Sequence, residues 1–150
     1  MSKIEDDIQQ EIFNDNFSKA IVNLVYTYNH VVQLMQSLFK PHGLTLPQFN
    51  ILRILRGQYP KAATINLLIE RMLDKSSNAS RIVDRLEAKG LVTRKQCNDD
   101  RRAVDVLITA QGLKMLSTID DEMIIWEESI NKLSETEISQ LNHLLDKIRG

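Results

Sequence analysis

Between residues 74 and 102 the chain gathers short hydrogen-bonding side chains and arginines at spacings that suit contact with a polyanion. In DKSSNASRIVDRLEAKG (74–90), Ser77, Asn78, Ser80, Arg81 and Arg85 fall with Asp84 on one face of a predicted helix, and Ser76 sits at its border. At 100° per residue, Ala79, Ile82, Val83 and Leu86 form the opposite, apolar stripe. Hydroxyl and amide groups carry donors and acceptors at the reach of base edges, and the N–H groups of a helix N-terminus favour phosphate. Just downstream, Arg94, Lys95, Arg101 and Arg102 cluster. Asp100 stands two residues before Arg102, within reach of a paired-fork contact that would hold the guanidinium in place. Taken singly, such a face is ordinary solvent surface and such a pair a surface ion pair of little worth. The combination is informative.

Other chemistry finds little support. His30, His42 and His143 are far apart, and no HExxH, GxSxG, GxGxxG or Walker pattern occurs. Asp99 and Asp100 lie beside arginines, neighbours that would not poise a carboxyl pair for acid–base work. Cys97 is the single cysteine, so no disulfide framework or multi-cysteine metal site is available within one chain, and a thiol on a strand reads as a small apolar residue. No catalytic residue, metal ligand or cofactor is expected, and the chain does not read as an enzyme.

The elements around the basic segment are predicted to position it. Thr45-Leu-Pro-Gln48 is a capping box with Pro47 in the first turn, opening a helix through Phe49, Ile51, Leu52 and Leu55 that stops near Gly57. After the polar loop GQYPKAA, Thr64 caps a short helix through Ile65, Leu68 and Met72. Asp74 then caps the serine-rich helix, which ends at Gly90. Two short helices with a tight break between them form a helix-turn-helix. The β-prone runs 91–97 and 103–108 flank NDDRR and read as a hairpin, a wing able to reach phosphates or the minor groove while the helix lies in the major groove.

Long helices are predicted at both ends. Apolar residues from Ile8 to Leu38 recur in steps near three and four, with no internal Pro or Gly, giving one helix over about 4–39 that Pro41 and Gly43 stop. A second stripe runs from Leu116 to Leu133, and Ser134-Glu-Thr-Glu137 restarts a helix through Ile148. An intramolecular bundle is one way to cover these stripes; a second copy of the chain is the economical one.

At 150 residues the chain has the length of one ordinary domain, able to bury roughly 70% of its unfolded surface without staples. Its 43% apolar and 26% charged content is that of a soluble globular protein, and no apolar run is long enough for a membrane span. The acidic N-terminus lacks the apolar core of a secretory signal, which points to the cytoplasm. The net charge of −1 conceals a partition: −3 over residues 1–39, +7 over 40–119 and −5 over 120–150. A positive middle between negative ends directs an anionic partner to the middle.

With these parts in order, the sequence resembles the MarR family of bacterial winged helix-turn-helix transcription regulators. The resemblance rests on LTLPQFNILRIL (44–55), DKSSNASRIVDRLEAKGLVTR (74–94), DDRR (99–102) and VLITAQG (106–112), and covers roughly residues 30 to 116. It implies a mainly α fold with a small β-hairpin wing: one domain over 1–150, its winged helix over about 44–110, its dimerisation helices over about 4–39 and 110–149. It further implies a homodimer on double-stranded, pseudo-palindromic operator DNA, with the 74–89 helix in the major groove, Asp100 and Arg102 as the wing pair, and Arg102 in the minor groove. Repression is the family's commoner mode, activation the alternative. A small-molecule effector wedged between dimer helices and winged domain would shift the spacing of the two reading helices; Tyr28, Met35 and Phe39 are the candidate lining, though core packing is the readier explanation of all three. Leu68-Ile69 departs from the family's usual Leu-Ala, and the cysteine of peroxide-sensing members has no counterpart in this N-terminal helix. A winged helix that binds only protein has no need of both the Ser/Asn/Arg face and the wing arginines.

Overall fold

The computed structural model describes residues 2–96 and 104–150, with the side chain of Gln96 excepted. The chain falls into two compact units, Met1–Leu116 and Ser117–Gly150.

The first unit opens with α1 (Ile4–Ile8) and α2 (Asn16–Phe39), so the single helix expected over 4–39 is interrupted. Gln9 ends α1 in the left-handed region, φ 53°, and Asp15 restarts the helix, its carboxylate accepting from the Ser18 N–H at 2.8 Å. The apolar stripe marks the same break: from Ile12 to Phe17 it advances five residues, one too many for a continuous face. An ion pair between Glu5 and Lys19 holds α1 to α2 and lowers the Glu5 carboxyl pKa.

A short 3-10 turn, Lys40–His42, leads to α3 (Leu46–Gln58). Its capping box forms as expected: the Gln48 N–H donates to Thr45 Oγ1 at 3.4 Å and the Thr45 N–H to Gln48 Oε1 at 3.1 Å. Phe39 is wholly buried and stacks on Phe49 with ring centroids 4.3 Å apart. Beyond α3 comes a two-residue strand, β1 (Ala63–Thr64), in a stretch expected to be loop. Two residues are too few to show an alternation, and the strand exists because a partner offers it a ladder. Thr64 also caps α4 (Ile65–Arg71), accepting from the Leu67 N–H at 3.2 Å.

Then follow α5 (Ala79–Ala88), β2 (Val92–Gln96), β3 (Val104–Ile108) and α6 (Ala110–Ile130). The sheet is antiparallel in the order β1-β3-β2, with Ala63 opposite Val106 and Val92 opposite Ile108. α5 stops at Gly90, φ 70°, a conformation cheap only without a Cβ; the Gly90 and Leu91 N–H groups close the helix end onto Glu87 and Leu86. Ile51, Leu52, Leu55, Leu68, Val83, Leu86 and Val106 make the core of this unit. Cys97, Asp100, Arg101 and Arg102 lie outside the described residues.

In the second unit, the remainder of α6 is followed by α7 (Glu135–Arg149), opened by the predicted capping box of Ser134 and Glu137. No residue of α7 is buried, and Leu141, Leu144 and Ile148 are each about half exposed. Among the described residues no helix is long and apolar enough to cross a membrane.

Gly112, in the first turn of α6, is a packing constraint: a Cβ there would lie 2.4 Å from the Leu91 carbonyl oxygen and 2.7 Å from Ile108 Cγ1. Gly112→Ala is expected to destabilise the protein by about 1–3 kcal/mol through overpacking, read as a lower urea midpoint at unchanged slope.

Candidate nucleic-acid interface

The segment between α4 and α5 handles its polar groups locally. Lys75 Nζ donates to the carbonyls of Ile69 (3.2 Å) and Glu70, capping the C-terminal end of α4, where a cation also suits the helix dipole. The Leu73 N–H donates to Asn50 Oδ1 at 3.0 Å and ties the turn to α3. Asp74 accepts from the Ser76 N–H at 2.9 Å and from both the Ser76 and Ser77 hydroxyls at 2.6 Å.

This arrangement corrects the expected start of the second helix. Asp74 caps a turn and not the helix; α5 begins four residues later than expected, with Asn78 as N-cap, its Oδ1 accepting from the Arg81 N–H at 3.0 Å. Serine and asparagine side chains compete with helical backbone bonds, and three in a row beside a carboxylate favour the turn. Ser76, Ser77 and Asn78 therefore precede α5, while Ser80, Arg81 and Arg85 stand exposed on it. Because an ionised carboxylate only accepts, the hydroxyl protons of Ser76 and Ser77 are committed to Asp74, leaving lone pairs for any further partner.

The inner face of α5 is as predicted: Ala79, Val83 and Leu86 are buried and Ile82 half-buried. Beside the outer face, a cleft of about 250 Å³ runs between the first turn of α3 and α5, lined by Pro47, Gln48, Ser77, Asn78, Arg81 and Arg85 among others. Gln48 is the one buried polar residue among those described, and Lys89 reaches across from the end of α5 to its Oε1 at 3.4 Å.

The described hairpin arginine is differently disposed from its neighbour. Lys95 is exposed. Arg94 is turned inward and engaged: Nη2 lies 2.6 Å from Asp84 Oδ1 and donates to the Ser80 carbonyl at 2.9 Å, and Nε lies 3.6 Å from Glu87 Oε2. Asp84 and Glu87 were not among the expected site residues. The signal was present in the strand period, since Arg94 is two residues from buried Val92 and so shares its face. Of the three candidate effector contacts, Phe39 sits in the core, Met35 is half-buried and Tyr28 is 62% exposed.

A helix-turn-helix followed by a β-hairpin, with the second helix buried on one side and polar on the other, defines a winged helix DNA-binding protein. The MarR family model matches residues 44–104, which span α3 through the start of β3. The HTH-type transcriptional regulator MhqR of Bacillus subtilis (strain 168) is 29% identical over 133 residues, covering 87% of this chain and 89% of that protein. A MarR-like transcription regulator from Bacillus cereus superposes with a TM-score of 0.79 at 20% identity, over 89% of this chain and 96% of that one. BpsR of Bordetella bronchiseptica, whose DNA binding is regulated by 6-hydroxynicotinic acid, superposes with a TM-score of 0.70 at 23% identity, over 85% and 96% of the two chains. Over residues 44–104 the chain is therefore similar to the MarR family, and its winged helix fold is that of the solved MarR-type regulators. The curated proteins it matches, MhqR among them, are HTH-type transcriptional regulators.

The Asp74 turn has a pH signature. Hydrogen bonds from the Ser76 hydroxyl, the Ser77 hydroxyl and the Ser76 N–H hold the Asp74 carboxyl below the ordinary aspartate value of 3.8. A depressed folded value means the carboxylate's contribution is complete above 3.8 and is lost as pH falls through the lower, folded value. In a carboxyl-carbon NMR titration Asp74 is expected to show a midpoint below 3.8, and Ser76→Ala/Ser77→Ala to move it upward.

Proposed function

We propose that this protein is a homodimeric repressor that reads a pseudo-palindromic operator, with α5 in the major groove and the hairpin on the flanking backbone and minor groove. The observation that carries the reading is the one-sided burial of α5, which leaves Ser80, Arg81 and Arg85 exposed beside the cleft that Ser77 and Asn78 line. Arg81 and Arg85 have the reach and donor geometry for guanine edges, and Ser77 with its committed proton suits a base amino group. Lys95, Arg101 and Arg102 serve the phosphates and minor groove, with Asp100 orienting Arg102. On this reading the protein works in the bacterial cytoplasm, where the DNA is.

The apolar positions that α7 leaves exposed support self-association, as do Phe17 and Val25 on α2. In a symmetric pair the two reading helices must stand about 34 Å apart to enter successive major grooves. A small molecule that favours another spacing then releases the operator by population shift. DNA binding by BpsR, a protein of the same fold, is regulated by a small molecule, 6-hydroxynicotinic acid, and Tyr28 and Met35 are the residues we assign to contact an effector here.

Duplex selected from random DNA is expected to bind the dimer with affinity falling at least about 100-fold between 50 and 200 mM salt, since several phosphates are neutralised. Arg81→Ala should relax base preference at one position per half-site by about 1–3 kcal/mol in a repeated selection; an unchanged consensus would remove Arg81 from base reading. Leu144→Glu/Ile148→Glu should sediment as a monomer and lose operator affinity; a monomeric parent at micromolar concentration would end the dimer reading. Loss of the gene should raise transcription from the bound promoter, whereas a fall identifies an activator.

A further inference from the structure

We infer that Arg94 does not touch DNA but is a positioning residue: it clips the hairpin to α5, so that wing and reading helix meet a duplex as one rigid surface. The inference rests on the DNA-contacting role proposed above for those two elements.

Its ground is the geometry of a single side chain. Arg94 follows buried Val92 on the inner face of β2 and stands opposite Val106 in the ladder, which aims it at α5 and not at solvent. There it meets the Ser80 carbonyl, Asp84 and Glu87, at Nη2–O distances of 2.9 and 2.6 Å and an Nε–O distance of 3.6 Å. Those three residues are spaced by four and three, one stripe along two turns of helix, about 10 Å of its length. The Arg94 N–H donates to the other Glu87 oxygen at 3.1 Å, so Glu87 bonds the strand backbone and pairs more loosely, by charge, with the side chain.

The electrostatics point the same way. The Arg94 side chain is 24% exposed, whereas the carboxyl groups of Asp84 and Glu87 are 57% and 43% exposed. A phosphate approaching this guanidinium meets two carboxylates first, and the trio carries net charge −1. A planar fork also serves several acceptors at fixed angles, which an ammonium on a flexible stem does not. The cluster is thus built to fix an angle between two elements and is poorly built to attract an anion.

Asp84→Asn/Glu87→Gln tests this, because the two roles predict opposite signs. Removing two negative charges from a surface that faces DNA should tighten binding if Arg94 contacts phosphate. If Arg94 positions the wing, the double variant should bind the selected operator about ten-fold more weakly, with the salt slope unchanged and random duplex bound no more weakly than by the parent. Arg94→Lys should be weakened alike, despite its retained charge. Equal or tighter operator binding by the double variant overturns the inference, as does a fall of about 1 in the salt slope on Arg94→Ala, the mark of a lost phosphate contact. Hydrogen exchange of the free proteins supplies an arm that needs no DNA: faster exchange along β2 with α5 still protected supports the clip, and unchanged exchange overturns it. A parent that binds no duplex at all counts against the nucleic-acid reading, and the exchange result still decides the role of Arg94 in holding the hairpin.

Discussion

A ten-residue helix can bury one stripe, and the stripe that α5 buries decides what the rest of the first unit can do. Ala79, Val83 and Leu86 are withdrawn from solvent into a core that also holds Leu52, Leu68 and Val106, so α5 cannot turn about its own axis without exposing them. With rotation forbidden, Arg81 and Arg85 are held outward by default. The orientation of the polar outer face is therefore specified less by its own residues than by the small and branched side chains behind it. Ala79 in particular lets the first turn lie close to its neighbours.

The other constraint is polar. Helix ends leave backbone groups unsatisfied, and a tight helix-turn-helix crowds two such ends together. Asp74 and Lys75, adjacent in the chain, deal with opposite ends. Lys75 closes the carbonyls of α4, and Asp74 collects the serines that lead into α5. Asn78 then satisfies the first turn of α5. The polar run that looks like a recognition surface in the sequence is thus partly structural. Its residues hold one another before they meet any ligand.

How far the sequence revealed this follows from the range of each interaction. The capping boxes at Thr45 and Ser134, the apolar stripe of α5 and the paired runs of the hairpin depend on neighbours three or four residues away or on a strict alternation, and were legible. What was not legible depended on distant partners or on competition. β1 needs β3, some forty residues away, to exist at all. Asp74 and Asn78 are both plausible N-caps, and the choice between them depends on two serine hydroxyls preferring a carboxylate. The break between α1 and α2 was visible as a five-residue step but was overridden by the absence of Pro and Gly. Arg94 read as a ligand contact because composition counts arginines, whereas the period of two along β2 says which way one of them points.

The order of the sheet has its own consequence. With β3 in the middle, both outer rims are poor templates for further pairing: β1 is only two residues long, and β2 carries a threonine, an arginine and a lysine in succession. Part of the β2 rim is already covered, since Glu87 takes up the Arg94 N–H. Short, charged or blocked rims are how proteins resist fibre-like stacking of strands from separate molecules. Crowded copies of this chain are accordingly steered away from strand exchange.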